Sequence, residues 1–344
     1  MNLLASAIGV AERAPLPDGV TATAINFLVG RTRRKLAKTP SEAEDEFLAD
    51  MRRFPIAVHT EAANAQHYEL PPAFFELALG PRRKYSCCRY PSPTTTLAEA
   101  EIAALEETAA HADIVDGHSI LELGCGWGSL SLFLAERFPG ARITAVSNSR
   151  PQRGYIEARA QERGLVNLQV ITADMNAFAT SQRYDRIVSV EMFEHMSNWD
   201  ALFEKSRGWL ASDGRLFLHV FANRHRSYRF DHNDPTDWIA RYFFTGGIMP
   251  SLALPHRFAG SFEVEKEWRW SGVDYRRTAL DWLANFDANR ERVDEIFRVV
   301  YGRQAALWAR RWRLFFLATA GLFGHADGEE WGVGHYLMRP ARYA

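Results

Sequence analysis

The sequence predicts an α/β fold: a mostly parallel sheet with helices on both faces, a helical extension before it and a cap inserted late. Three observations predict it. From about residue 118, β-rich runs alternate with helical ones, beginning with "SILELG" and "SLSLFLAERF". That alternation is the pattern of parallel strands joined by crossover helices. The first strand run ends in Gly124, Gly126 and Gly128, directly before a helical pattern. Two further strand patterns, "FEVEKEWRW" and "EEWGVGHYLM", return after an irregular aromatic stretch at 222–258.

Composition bounds the partners. At 344 residues the chain is long for one simple core and suits one large domain with additions. Its 47% hydrophobic and 24% charged residues are those of a soluble globular protein. A net charge of −1 gives no global field for nucleic acid, so none is expected as a partner. The apolar runs are too short to span a bilayer, and no stable membrane insertion is expected. The opening "MNLLASAIGVAERAPLPDG" lacks a basic leader and reaches Glu12 early. Of 3 cysteines, Cys87 and Cys88 are adjacent, a poor disulfide framework. Both facts point to a reduced, cytoplasmic protein. No cysteine or histidine spacing resembles a zinc site, and no metal is expected. The basic run "RTRRKLAK" (31–38) reads as a solvated helix face, with contact to anionic lipid or an acidic partner as the alternative. A homodimer is left open.

The elements follow in order. Residues 20–110 are mostly helical and polar, broken by Pro55, Pro71, Pro72 and "YPSPTTT" (90–96). After the glycine turn come "RITAVS" and "RGYIEARAQERG", then "LQVITA", "DRIVSVEM" and "GRLFLHVF". The expected division is 1–105 for the N-terminal helices and a covering loop, 106–222 for the core, 223–300 for the cap and a late strand, and 301–344 for a last helix and strand.

Glycines at the end of a first strand let the backbone turn tightly and approach a ligand closely. The dinucleotide fingerprint places its third glycine one residue later and closes the second strand with an acid. Here the second strand ends "AVSNSRPQ", with Ser147 and Asn148 at that place. The spacing argues against NAD and matches class I S-adenosylmethionine-dependent methyltransferases, a Rossmann-like fold. Asp174 in "ITAD" stands where that class often has an acid for the adenine amine; the plainer reading is a loop residue or helix cap.

Further motifs carry a closer resemblance. "QHYELPPAFFELALGPRRKYSCCRY" (66–90), "LELGCGWGSLSL", "VSVEMFEHM", "RYFFTGGIMPS" and "DGEEW" (327–331) resemble the coclaurine N-methyltransferase branch of the cyclopropane-fatty-acyl-phospholipid synthase and mycolic acid synthase superfamily. The likeness runs from about residue 50 to the end. It implies S-adenosyl-L-methionine as cofactor, with Tyr85 and Ser86 at its methionine end and Gly124 and Gly126 along it. Ser147, Asn148 and Gln152 would serve its ribose, and Asp174 and Met175 its adenine.

The stretch "EMFEH" leaves the apolar run "RIVSV" with Glu191, Glu194 and His195 close together. Ligands of this fold class bind beyond the carboxyl ends of the strands. If a helical turn follows, Glu194 and His195 fall at i+3 and i+4 from Glu191 and share its side. Two carboxylates would capture an ammonium ion, and His195 would pass a proton onward. The plainer reading is a capped acidic turn. Aromatic residues 228–245 would roof the acceptor: Tyr228, Phe230, Trp238, Tyr242, Phe243 and Phe244, joined by Tyr275 and by Glu329, Glu330 and Trp331 from the last strand. Core packing is the alternative for half of that segment.

The resemblance leaves two enzyme readings. The favoured one is N-methylation of a small, aromatic amine. The alternative is ring formation on unsaturated lipid, in which a bicarbonate ion would be held by residues corresponding to Cys87, Glu194, His219 and Tyr275. Those lipid-acting relatives carry glycine at the position of Glu191 and cysteine near that of Thr319. A carboxylate suits a cation and gives nothing to an alkene. A third reading is a non-catalytic S-adenosylmethionine-binding interaction protein, which the intact glycine loop and acidic cluster disfavour.

Overall fold

The computed structural model describes residues 9, 12–14, 16–40, 42–58 and 70–342. The first residues of the opening segment, and 66–69 of the "QHYEL" motif, lie outside them. The helical extension contains α1 (Asp18–Ala37), α2 (Ala43–Met51), α3 (Pro72–Ala78) and α4 (Leu97–His111). Pro72 at the first turn of α3 gives up no helical hydrogen bond. Thr96 and Glu99 cap α4 reciprocally: Glu99 N–H donates to the threonine hydroxyl, and Thr96 N–H donates to the carboxylate.

The core then alternates: β1 (Ser119–Leu123), α5 (Ser129–Arg137), β2 (Arg142–Ser147), α6 (Arg150–Glu162), β3 (Leu168–Thr172), β4 (Tyr184–Val190), α7 (Trp199–Trp209) and β5 (Leu210–Asn223). The cap holds β6 (Tyr228–Arg229), α8 (Trp238–Tyr242) and β7 (Ile248–Met249). It is followed by β8 (Phe262–Ser271), α9 (Gly272–Ala288), α10 (Arg290–Tyr301), α11 (Ala305–Phe323) and β9 (Trp331–Pro340).

The main sheet has 7 strands in the order β3-β2-β1-β4-β5-β9-β8. The pairs among β1 to β5 are parallel, and β9 runs antiparallel to both β5 and β8. This is the class I methyltransferase sheet with an inserted cap. Its central strands are covered on both faces, which is why β1 and β4 are buried along most of their length. Strand order reverses between β1 and β4, and that switch point opens a crevice at their carboxyl ends.

The extension packs around the late helices. Asp18 of α1 pairs with Arg313 of α11, and Arg33 donates to Glu330 at 3.0 Å. Glu44 of α2 is buried and accepts from the hydroxyls of Ser227 and Ser251, each at 2.6 Å, which ties the extension to the cap. No described helix is long and apolar enough to cross a membrane.

Candidate active site

A cavity opens at the carboxyl ends of β1 to β4. Gly124 and Gly126 line it after β1, and Ser147, Asn148 and Gln152 line it after β2. Asp174 and Met175 reach it after β3, and Glu191 and His195 after β4. Residues distant in sequence therefore converge because each follows a strand end at the switch point.

The glycine turn is shaped by contact. Gly124 has φ +80, and a Cβ there would run into the side chain of Met192. Gly126 has φ +52, and a Cβ there would meet no protein atom within 4 Å, so the space beside it belongs to the cavity. Ser147 is turned inward: its hydroxyl donates to Gln152 Oε1 at 2.7 Å and accepts from Ser149 N–H at 3.0 Å. Gln152 is 1% exposed, and its Nε2 is buried without a protein partner on the cavity wall. A buried orphan donor calls for a ligand acceptor, and a ribose hydroxyl supplies one. Asp174 accepts from Asn176 N–H at 2.7 Å, so it both shapes the turn and reaches the lining. The glycine cradle, the orphan amide and the acid beyond β3 fit S-adenosylmethionine. Tyr85 packs between Phe75 and Trp282, and Ser86 accepts from Lys84 Nζ at 2.6 Å. Neither side chain is on the cavity lining.

Glu191 sits at the first residue past β4 with φ +48, a left-handed conformation uncommon for any residue but glycine. Its N–H is held by the carbonyl of His219 at 2.8 Å. The carboxylate collects three donors: Cys87 N–H at 2.9 Å and His219 Nε2 at 3.2 Å on Oε1, and the Tyr275 hydroxyl at 2.6 Å on Oε2. Burial pushes its pKa above the ordinary carboxylate range, while the Lys84 ammonium, Cys87 N–H and Tyr275 hydroxyl pull it back.

The turn after Glu191 is not the continuous α-helical one expected. The backbone first passes through the left-handed residue and then makes a 3₁₀ turn, Phe193–His195. His195 faces the cavity and packs on Phe244, ring centroids 4.3 Å apart. Glu194 points inward instead. It is 0% exposed, and its Oε1 accepts Phe221 N–H at 2.7 Å. Burial and the neighbouring Glu191 charge raise its pKa well above the usual carboxylate range. The cavity therefore meets Glu191 and His195, with Glu194 beneath them.

Among the aromatic candidates, Tyr275 reaches the site through Glu191. Tyr242 and Phe243 pack against α11, with Trp238 on both: Phe243 stacks on Phe315 at 4.5 Å, and the Arg311 guanidinium lies 3.8 Å over Tyr242. Tyr228 pairs with Met249 and packs edge-on to Phe230. Trp331 is fully buried in β9, and Glu330 is engaged by Arg33. Of the roof candidates, Phe244 joins rings from other elements beside Glu191. Phe323 stacks on Tyr275 at 4.1 Å, Phe221 lies 6.0 Å from Phe323, and Phe244 lies 5.5 Å from Phe221. Gly247 permits this, because a Cβ there would collide with the Phe244 ring. Phe221 and Phe323 went unremarked in the sequence because each looks like ordinary core on its own element. Ala57, Val58 and Thr245 also line the cavity, and no sequence signal marked them.

Comparison with known proteins agrees with this geometry. The family model for mycolic acid cyclopropane synthetase matches residues 57–328. (S)-coclaurine N-methyltransferase of Thalictrum flavum subsp. glaucum is 36% identical over 337 residues, 95% of this chain and 93% of that protein. Cyclopropane-fatty-acyl-phospholipid synthase of Escherichia coli (strain K12) is 27% identical over 78% of this chain and 66% of its own length. The crystal structure of coclaurine N-methyltransferase bound to N-methylheliamine and SAH superposes with a TM-score of 0.93 at 34% identity, covering 97% of this chain and 99% of that one. With the class I sheet and a cavity suited to the cofactor, the chain belongs to the mycolic acid cyclopropane synthetase family and is an S-adenosylmethionine-dependent methyltransferase.

Proposed function

We propose that this enzyme methylates the nitrogen of a small aromatic amine. The observation that carries the reading is the set of donors on Glu191. Cys87 N–H, His219 and Tyr275 are three of the groups that the lipid-acting branch would use to hold a bicarbonate ion. Here they converge on a carboxylate that the chain itself supplies. A built-in anion at the end of β4, beside aromatic rings, suits a cationic acceptor. The likeness to coclaurine N-methyltransferase over 95% of the chain supports the same reading.

When bound, S-adenosylmethionine supplies a methyl group on a sulfonium, open to in-line displacement by a nucleophile. Gly124 and Gly126 let it approach the backbone; Asn148, Gln152, Asp174 and Met175 orient its nucleoside; Ser147 fixes the Gln152 rotamer. Tyr85 and Ser86 support the Cys87 segment beside its methionine end. An alkylamine with a pKa near that of lysine, about 10, is almost wholly protonated at neutral pH. Glu191 draws that ammonium in and fixes its position. The Glu191 carboxylate and His195 on the same cavity wall accept and relay the proton that frees the lone pair, which is general base catalysis. Glu194 holds the Phe221 backbone, and burial beside the Glu191 charge favours its neutral form. Holding amine and donor in register supplies much of the remaining acceleration. Purified enzyme with labelled methyl donor, offered aryl amines and unsaturated phospholipid vesicles in parallel, tests the reading. Label in the amines supports it; label only in lipid overturns it.

A further inference from the structure

Three histidines lie in line behind Glu191. His219 of β5 and His335 of β9 are register partners, and His111 ends α4. His219 Nε2 is 3.2 Å from Glu191 Oε1, and His219 Nδ1 is 2.8 Å from His335 Nε2. His335 Nδ1 is 2.8 Å from His111 Nδ1, and His111 Nε2 is 3.8 Å from Glu107 Oε1. His219 and His335 are 0% exposed. The side chains of His111 and Glu107 are 14% and 31% exposed, so the line ends at solvent.

Resting on the proposed function, we propose that His219, His335 and His111 form a proton path joining the carboxyl group of Glu191 to solvent beside Glu107. They act through Glu191 and touch no substrate. Methylating an amine N–H releases one proton per turnover, and the ammonium held on Glu191 can leave that proton on its carboxylate. A pair of amides would satisfy the same buried hydrogen bonds. Only imidazole takes a proton on one nitrogen while releasing one from the other.

The surroundings keep the rings neutral. Burial and the nearby Lys84 and Arg89 cations hold these imidazoles below the ordinary histidine range, against the Glu107 carboxylate beside His111. From β8, Trp268 stacks on His111 at 3.9 Å and Trp270 lies 4.3 Å from His335. Arg89 is neutralised by Glu107 and by Asp274 of α9. Tyr275 and Cys87 face Glu191 itself.

The contacts fix the order of protons. With Glu191 ionised, His219 Nε2–H donates to it, His335 Nε2–H donates to His219 Nδ1, and His111 Nδ1–H donates to His335 Nδ1. With Glu191 protonated, every donor points the other way. Discharge breaks the Glu191 O–H as His219 Nε2–H forms, and breaks His219 Nδ1–H as His335 Nε2–H forms. His335 Nδ1–H then breaks as His111 Nδ1–H forms, and the His111 Nε2 proton passes to water. Glu191 loses one proton, solvent gains one, and no imidazole keeps a charge. Each passage reverses the order, so the rings must turn before the next one in the same direction.

His111→Ala, assayed with and without added imidazole, tests the path, with His111→Phe as a second variant that keeps a ring on Trp268. The first turnover should stay within about twofold of wild type, while steady-state turnover at neutral pH falls about tenfold. Free imidazole should restore most of that loss in His111→Ala. His335→Gln should lose the same activity and gain nothing from imidazole, because its position is sealed. Wild-type steady-state rates in both His111 variants from about pH 6 to about pH 9, or a loss that slows the first turnover equally and resists imidazole, overturn the path. Wild-type enzyme run alongside separates the two claims. No methylated amine from wild type overturns the functional reading, whereas wild-type turnover with unimpaired variants overturns the path alone.

Discussion

The hydroxyl of Tyr275 donates to Oε2 of Glu191 across 2.6 Å, joining α9 to the end of β4. The bond favours the ionised carboxylate against a burial that favours the neutral one. Because the Glu191 pKa is raised, activity that needs its charge rises with pH only above the usual carboxylate range. Tyr275→Phe removes a stabilising donor, raises that pKa further and moves the rise to more alkaline pH. A hydrogen bond to a charged group is worth about 1.5–3 kcal/mol, so kcat/KM on the acid side of the profile should fall about tenfold or more. A pH profile coinciding with wild type would show that the contact does not set the Glu191 charge.

The backbone at Glu191, with φ +48, is one that glycine adopts without strain. Glu191→Gly should therefore fold, leaving Cys87 N–H, His219 and Tyr275 around the space of a carboxylate. Added formate or bicarbonate should restore at least about threefold of the lost methylation, since a small anion replaces the missing general-base and anchoring charge. An unchanged rate across anion concentrations would mean that the three donors do not form an anion site. Ring formation on lipid is not expected, because Thr319 also differs from the lipid-acting pattern.

Cofactor affinity rests on the turn after β1 and on the amide of Gln152. Gly126→Val combines a disfavoured φ of +52 with a side chain in the cavity, and should abolish S-adenosylhomocysteine binding in calorimetry. Gln152→Leu removes the orphan donor and should weaken binding about three- to tenfold, the range of one neutral hydrogen bond. Equal affinity in Gln152→Leu would show that this amide serves something other than the cofactor.

Glu122 of β1 is buried against Ser131 of α5, and burial raises its pKa from 4.5 to about 7. The native state then holds this proton more tightly than the unfolded chain. Stability is complete below about pH 4.5 and declines as pH climbs to about 7, by roughly 3 kcal/mol at 1.36 kcal/mol per unit. Glu122→Gln removes the titration. Between pH 5 and pH 8 the variant should gain on wild type by about that amount in chemical denaturation. Parallel pH dependences in the two proteins would exclude Glu122 as the source.

The parts of this molecule that were legible in the sequence are those where local pattern and tertiary role coincide. Alternation of β-rich and helical runs gave the parallel sheet, since buried strands must be apolar on both faces. Gly124 and Gly126 marked the cradle because their φ values exclude most side chains. Glu191 was visible as a carboxylate closing an apolar strand. What was hidden depended on distant pairing. The direction of Glu194 follows from the Phe221 N–H on another strand. In the ring wall only Phe244 was marked, because Phe221 and Phe323 come from β5 and α11, whereas Trp238, Tyr242 and Phe243, near it in sequence, are drawn toward α11. His219 was marked only through the resemblance and His335 not at all, because only strand register makes them partners.

Steady-state kinetics of wild type and Glu191→Gln with one secondary aryl amine tests the central claim most directly. Glutamine keeps the size and hydrogen bonding of Glu191 and removes its charge. The account predicts methylated amine from wild type, a kcat/KM at least about tenfold lower in the variant, and nearly unchanged S-adenosylhomocysteine affinity. Wild type that leaves the amine untouched and forms rings on unsaturated phospholipid, with that activity intact in Glu191→Gln, would contradict it.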